Sequence, residues 1–414
     1  MHVIVMGAGV AGVTTAWELQ RSGHAVTVLD RQPAAAAETS YANAGLITLG
    51  HSIAWASPKA PGLLLKSLFR RDQAFRLRPR MDWQMLRWGM RFLRQCTHAR
   101  AARNTSNAYR LCRYSQSLLH EVAGRAELDY HARRSGLLYV YGSDASLREG
   151  RSEMEILQGL GYDIEVLDAR GVVELEPALG NSGGRVAGAL YCPTDESGDC
   201  RKFTRRLADA CRTMGTRFLF DCTIDRIEIE QDRVSHLSTS AGALDADAYV
   251  LALGVEAPRL ARPIGIDLPI YPVKGYSATF PVGPGHRGPL IGGLLEDQAI
   301  AFSRLGDRLR VTSVVEIAGY DATYRAADFT RMIEAFRAVM PDAADYDQPE
   351  YWACLRPMTP TGQPVVGSSR YRNLYFNAGH GSLGWTMCCG TARLVADVIN
   401  DREPAIPLDA MRPH

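Results

Sequence analysis

The chain has 414 residues, with 47 Lys and Arg against 45 Asp and Glu, 46% hydrophobic and 22% charged. This composition excludes wholesale disorder, and a net charge of +2 argues against a dedicated nucleic-acid binder. Nine cysteines without a C-x-x-C pair read as reduced thiols, and no zinc-ligand spacing is present, so no metal is expected.

The N-terminus enters an apolar run at once, Val3-Ile4-Val5-Met6, with no basic leader, which predicts a cytoplasmic protein. Gly7-Ala8-Gly9-Val10-Ala11-Gly12 follows, then a helical pattern carrying Val13 and Trp17, a second strand over 25–29, and Asp30. Strand, glycine turn, helix, strand and acid form a dinucleotide fingerprint. Gly7 permits the turn, Gly9 lets backbone N–H groups reach a pyrophosphate, and Gly12 lets helix and strand touch. Asp30, followed by Arg31, stands where a carboxylate accepts bonds from a ribose diol. The next segment, Glu38 to Gly45, places Thr39, Ser40, Asn43, Ala44 and Gly45 in a donor-rich loop that suits FAD better than NAD. A polar surface loop is the alternative.

Residues 82–125 carry two helical patterns. Strands are predicted at 136–141, 188–192, 217–221, 224–230, 234–239 and 249–253, the last ending at Gly254. A helix is predicted over 201–214, strands follow near 275–281, 298–304 and 308–318, and a helix spans 327–340. The C-terminal part returns to strand (373–377), glycine-rich turn and helix (383–400), through Gly379-His380-Gly381-Ser382-Leu383-Gly384-Trp385-Thr386. Strand-to-glycine turns this far apart predict a nucleotide-binding unit assembled from discontinuous segments.

Between Lys59 and Arg113 there are fourteen Lys and Arg against Asp72 and Asp82. With the Leu-rich run after Gly62 and the amphipathic stretch from Trp83 to Arg94, residues 59–94 read as an interfacial anchor for an anionic membrane surface. The alternative is a solvated basic face paired with acids elsewhere.

These motifs, with Thr194 to Cys200, Val273-Lys274-Gly275-Tyr276-Ser277, Glu316 to Gly319 and Leu355-Arg356-Pro357-Met358-Thr359-Pro360, make the chain resemble the FAD-dependent D-amino acid dehydrogenase small-subunit family. That family lies within the D-amino acid oxidase-like flavoenzymes. The resemblance implies an α/β chain with a Rossmann-type, glutathione-reductase-like FAD-binding domain and a second, antiparallel-sheet substrate domain, discontinuous in sequence. Segments 1–58, 185–262 and 345–414 would form the first domain. Segments 59–184 and 263–344 would form the second, with basic amphipathic helices over 59–125.

The resemblance further implies noncovalent FAD held by Val3, Gly7 to Gly12, Trp17, Asp30, Arg31, Thr39, Ser40, Asn43 to Gly45, Gly254, Gly381 to Gly384 and Thr386. The reaction would be oxidation of a D-amino acid to an imino acid, hydrolysed to a 2-oxo acid and ammonia, with electrons passing to a quinone or dye. Flavin N5 would accept the hydride, so no protein side chain is expected to be catalytic. Arg356 would bind the substrate carboxylate, with Tyr276 and His380 as further neighbours. Cys354 departs from the glycine common at that place and would narrow the pocket. Alternatives are a sarcosine-, glycine- or D-hydroxyproline-type amine oxidoreductase, or a non-catalytic flavin- or NAD-binding subunit. Location on the inner face of the cell membrane is expected if the basic segment attaches there.

Overall fold

The computed structural model describes residues 1–69, 75–77 and 82–412. Arg70, Arg71, Asp72, Arg78 and Arg80 of the basic stretch lie outside the described residues. Two large sheets organise the chain. The first has six strands in the order Val365–Ser368, Leu374–Ala378, Ala248–Leu251, His2–Met6, Ala25–Leu29 and Arg217–Leu219. All its pairs are parallel except that of Val365–Ser368 with Leu374–Ala378.

Strand His2–Met6 is apolar and buried from Val3 on because both faces of this sheet are covered. Val3 and Val5 point into a core shared with Val13, Trp17 and the C-terminal helix Gly384–Ile399. Ile4 and Met6 point the other way, against Ile227, Val234 and Leu237 of a small antiparallel sheet. Helix His98–Arg125 also packs on Gly384–Ile399, close enough that the Gly390 N–H donates to Ser115 Oγ at 2.9 Å. An added Cβ on Gly390 would lie 2.8 Å from the Ser115 Cβ. This basic helix, assigned by sequence to the substrate side, therefore contributes to the first core.

The second sheet has nine strands. Its path runs Glu350–Met358, Tyr271–Pro281, Arg308–Ile317, Ile300–Leu305, Gly292–Leu295, Leu137–Tyr141, Gly188–Cys192 and Glu165–Asp168, with Phe75–Leu77 beside Arg308–Ile317. It is antiparallel apart from two parallel pairs, Gly292–Leu295 with Leu137–Tyr141 and Arg308–Ile317 with Phe75–Leu77. Helix Thr330–Val339 and a cluster of Phe280, Phe302, Phe329 and Phe336 cover one face.

Two segment assignments change here. Gly188–Cys192 and Glu350–Met358 were placed with the nucleotide-binding segments, but both are strands of the second sheet. Pairing decides the matter: Leu138 lies opposite Tyr191, and Val273 opposite Arg356. Helices Asp144–Gln158 and Ala169–Leu175 fill a region where no element was predicted.

Candidate active site

The C-terminal ends of the parallel strands converge on one crevice, a cavity of about 350 Å³. In open α/β sheets ligands bind at this edge, where strand order reverses. Gly7 takes φ +107°, and a Cβ there would lie 2.6 Å from the Ala252 carbonyl oxygen. Gly12 presses helix Val10–Arg21 onto the turn so closely that a Cβ would sit 1.8 Å from the Gly7 carbonyl oxygen. Gly9 is different. The nearest atom to an added Cβ is Ser40 Oγ at 3.5 Å, so the space beside the turn is open.

The N-cap of helix Val10–Arg21 is Gly9, which has no side chain to cap it, and Gly9, Val10 and Ala11 line the crevice. Its first N–H groups and the positive end of its dipole meet there, a ready site for phosphate. Val10 N–H donates to Ser40 Oγ at 3.0 Å. The Asp30 carboxylate accepts the N–H groups of Ala8 at 2.6 Å and Gln32 at 2.8 Å. Burial nevertheless raises its pKa above the ordinary carboxylate value. Arg31 lies at the rim and donates to Glu38 at 2.7 and 2.8 Å.

His380 lines the same cavity and hydrogen-bonds Thr391 Oγ1 through Nε2 at 3.0 Å. Burial holds its pKa down at about 4, so the ring is neutral at pH 7. Gly254, Gly381, Gly384 and Thr39 also line the cavity.

The second sheet reaches this cavity at Pro357. Side chains alternate across a strand, and the pairing puts Met358, Arg356, Cys354 and Trp352 on one face with Tyr271, Val273, Gly275 and Ser277. This face meets the first unit at two places. At one end an added Cβ on Gly381 would lie 3.0 Å from Met358 Sδ. At the other end Ser303 Oγ donates to the Ala44 carbonyl at 2.7 Å, and Arg310, bonded to Thr279, donates to the Asn43 carbonyl at 3.4 Å.

Arg356 lies on the face between those junctions, partly buried, with its pKa lowered by desolvation. Further along, Ser277 Oγ and Trp352 Nε1 are buried without a hydrogen-bond partner among the described residues. Trp352 stacks on Tyr41 at 4.2 Å, and the Arg201 guanidinium covers the Tyr41 ring at 3.7 Å.

Several expected site residues are placed elsewhere. Tyr276 is on the far face of the second sheet, its hydroxyl donating to Glu316 at 2.9 Å and its ring against Phe329. It does not share a face with Arg356. Trp17 and Val3 belong to the first core and do not line the cavity. Asn43, Ala44 and Gly45 are drawn to the second sheet, while Ser382 and Leu383 border a separate cavity of about 30 Å³ with Met358 and His51. Thr386 Oγ1 accepts the Thr48 N–H at 3.2 Å. Ala8 and Gly12 shape the turn from behind, and neither lines the cavity.

The crevice also contains residues that no motif announced, Cys222 to Asp225, Glu256 and Arg259, beside Asn377 of the predicted C-terminal strand. Each reaches it from the end of an element distant in sequence. Only the recurrence of strand followed by glycine, at Gly254 and Gly379, hinted at such segments.

An open turn at Gly9, a helix start at the crevice and the half-buried Asp30 carboxylate fit an adenine dinucleotide. The comparisons agree. Residues 2–398 match the model of a family described as FAD dependent oxidoreductase. The chain is 43% identical to D-amino acid dehydrogenase 2 of Mesorhizobium japonicum, over 98% of each chain. It is likewise 43% identical to D-amino acid dehydrogenase of Rhizorhabdus wittichii, again over 98% of each. Among solved structures, glycine oxidase from Geobacillus kaustophilus superposes with a TM-score of 0.77 at 21% identity, covering 100% of this chain and 98% of the other. L-proline dehydrogenase from P. horikoshii gives 0.74 at 18% identity, covering 100% and 96%. At such identities these two show the shared fold alone. With a family model spanning nearly its whole length, a dinucleotide crevice on a Rossmann-type sheet and relatives at 43% identity, this chain belongs to the FAD-dependent oxidoreductases.

Proposed function

We propose that the chain oxidises D-amino acids to imino acids, which water hydrolyses to 2-oxo acids and ammonia, and that the electrons go on to a quinone-type acceptor. The observation that carries this reading is Arg356, a partly desolvated guanidinium on the face of the second sheet turned toward the first unit. The stereochemical class comes from the relatives, which are named D-amino acid dehydrogenase.

Bound FAD supplies the two-electron acceptor for the hydride leaving the substrate Cα. The residues that would hold it are Gly9 to Ala11 and Ser40 at the pyrophosphate, Asp30 at the ribose, and the turn Gly381 to Gly384 at the start of the C-terminal helix. Arg356 holds the substrate carboxylate through two charge-assisted hydrogen bonds, which fixes the Cα–H direction. That chemistry would take hydrogen from Cα as hydride while the lone pair of the neutral amine closes the C=N bond, so no side chain would be required to remove a proton from carbon.

The reading extends to a membrane surface. On helix Trp83–Gln95 the stripe of Trp83, Leu86, Met90 and Leu93 is exposed by 67, 52, 43 and 49%, while Trp88 and Phe92 pack inward. An apolar ridge beside arginines suits peripheral attachment to anionic lipid. Among the described residues no helix is long and apolar enough to cross a membrane.

Anaerobic mixing with D- and L-amino acids, glycine, sarcosine and hydroxyproline tests the substrate class. Bleaching of the bound flavin by D-amino acids alone, with reoxidation faster by a quinone analogue than by air, is the expected result. Bleaching by sarcosine or glycine but by no chiral D-amino acid would move the enzyme to the secondary-amine class.

A further inference from the structure

The Arg356 side chain does not stand up from its strand. It lies flat across the neighbouring one, over Gly275. A Cβ built on Gly275 would fall 2.3 Å from Arg356 Nη2, 2.6 Å from Cζ and 3.0 Å from Nε, so the whole plane of the guanidinium occupies the place of a side chain there. Gly275 pairs with Cys354, and Arg356 pairs with Val273 one step along the same face, so the arginine reaches diagonally. Diagonal neighbours across a strand pair are within reach of long side chains.

Glycine within a strand usually has one of two reasons: a backbone that only glycine adopts, or a close approach by another group. A register shift against Arg308–Ile317 does occur between Lys274 and Tyr276. Yet Gly275 is absent from the residues with positive φ, so its backbone is open to any L-residue. The requirement is therefore for space, and the group that fills the space is the Arg356 fork.

The geometry points to Gly275 as a positioning residue that sets where Arg356 presents its fork. This inference rests on the proposed role of Arg356 as carboxylate anchor. Without a side chain at 275 the guanidinium settles onto the sheet, its direction limited by Val273 and Cys354 and aimed toward Ser277 and Trp352. A methyl group at 275 would force the fork away by about 1 Å to regain ordinary contact. The atoms in the way are those of a flexible side chain, not of backbone, so the fold survives and the substrate is misaligned.

The experiment is a double-mutant cycle on the FAD-loaded enzyme with Gly275→Ala, Arg356→Met and the pair. Four quantities are read: flavin content, thermal midpoint, kcat/KM for the best D-amino acid, and the affinity for acetate from perturbation of the flavin spectrum. Arg356→Met should lower kcat/KM about 100-fold or more with flavin retained. Gly275→Ala should lower it by about 10- to 100-fold, as a displacement near 1 Å can, and should weaken acetate binding in proportion. In the Met background the same Gly275→Ala change should alter kcat/KM by less than about twofold, because it acts through the missing fork. Equal losses in both backgrounds, or an Ala variant with wild-type kcat/KM and acetate affinity, would overturn the role of Gly275. A near-normal Arg356→Met variant would instead overturn the carboxylate reading itself.

Discussion

The crevice of the first sheet and the Arg356 face of the second are built from different kinds of group. In the crevice the working groups are mostly main chain: N–H groups at the start of helix Val10–Arg21, carbonyls behind them, and glycines that let these approach. On the second sheet the working groups are side chains, with Arg356 lying across Gly275 and Ser277 and Trp352 beyond. A site of backbone groups tolerates change in most side chains but almost none at its glycines. A site of side chains can be retuned one residue at a time, provided the sheet beneath keeps its register. Glycine thus serves opposite ends in the two regions. In the crevice it lets backbone meet backbone or phosphate, and at Gly275 it makes room for one long side chain.

The largest expected effect tests the first half of that contrast. In Gly12→Ala the methyl would lie 1.8 Å from the Gly7 carbonyl oxygen, and neither backbone atom can yield. We expect destabilisation of about 3 kcal/mol, the upper end for an inserted methyl, with loss of flavin and a lower urea midpoint. A stable, yellow Gly12→Ala protein would show that helix and turn can separate, and the contrast would fail.

Gly9→Leu separates space for phosphate from space for packing. With φ at −69°, Gly9 has a backbone any residue adopts, and an added Cβ has Ser40 Oγ at 3.5 Å as its one neighbour within 4 Å. The flavin-free protein should keep its thermal midpoint while the dissociation constant for FAD rises by about 100-fold, or near 2.7 kcal/mol. Unchanged FAD affinity by equilibrium dialysis would place the pyrophosphate elsewhere.

His380 gives a pH test of the same crevice. In the unfolded chain its ring takes up a proton below its ordinary pKa of 6.5, while the folded chain keeps it neutral down to about 4. Between these values the unfolded state binds the extra proton, so stability falls as the pH is lowered from 6.5 toward 4, by up to about 3 kcal/mol. Urea midpoints measured across that range should fall less steeply for His380→Gln. Parallel curves for the two proteins would mean that the ring is charged or already exposed.

The smallest effect concerns the ridge on helix Trp83–Gln95. Replacing Trp83 and Leu86 with Ser should weaken binding to anionic vesicles roughly tenfold, since each side chain loses part of its apolar burial. Activity with a soluble dye should be unaffected. Raising salt should weaken the wild type further through screening. Flotation that is equal for both proteins at all salt concentrations would return the ridge to solvent.

Legibility in the sequence followed locality. The run from Val3 to Asp30 could be read because strand, turn, helix and acid lie within one stretch and every glycine has a mechanical reason. The faces of the second sheet could not, because they are decided by strand partners that lie outside any local stretch, as Val273 opposite Arg356 does. Tyr276 illustrates this. Lys274-Gly275-Tyr276-Ser277 offers two faces, and the tyrosine drew attention to the wrong one; pairing puts Gly275 and Ser277 with Arg356. Strand Glu350–Met358 was legible as a motif but not as a strand, since Pro357 and the mixed polar pattern hid the alternation that its nine-residue pairing reveals. The Asn43 to Gly45 loop was expected at the cofactor. Its carbonyls accept bonds from Ser303 and Arg310, two residues with no signal of their own.

The order of strands has a consequence for how the protein is made. His2–Met6, at the centre of the first sheet, pairs on one side with Ala25–Leu29 and on the other with Ala248–Leu251. A ribosome adding 5–20 residues per second needs on the order of 10–50 s to make the second neighbour after the first strand has emerged. Throughout that interval Val3 to Met6 and the apolar side of helix Val10–Arg21 have no complete sheet to join. The chain must also cross from one sheet to the other four times before Leu374–Ala378 closes the first. Neither sheet can be completed before its late strands are made, so the early apolar segments wait longest for their partners.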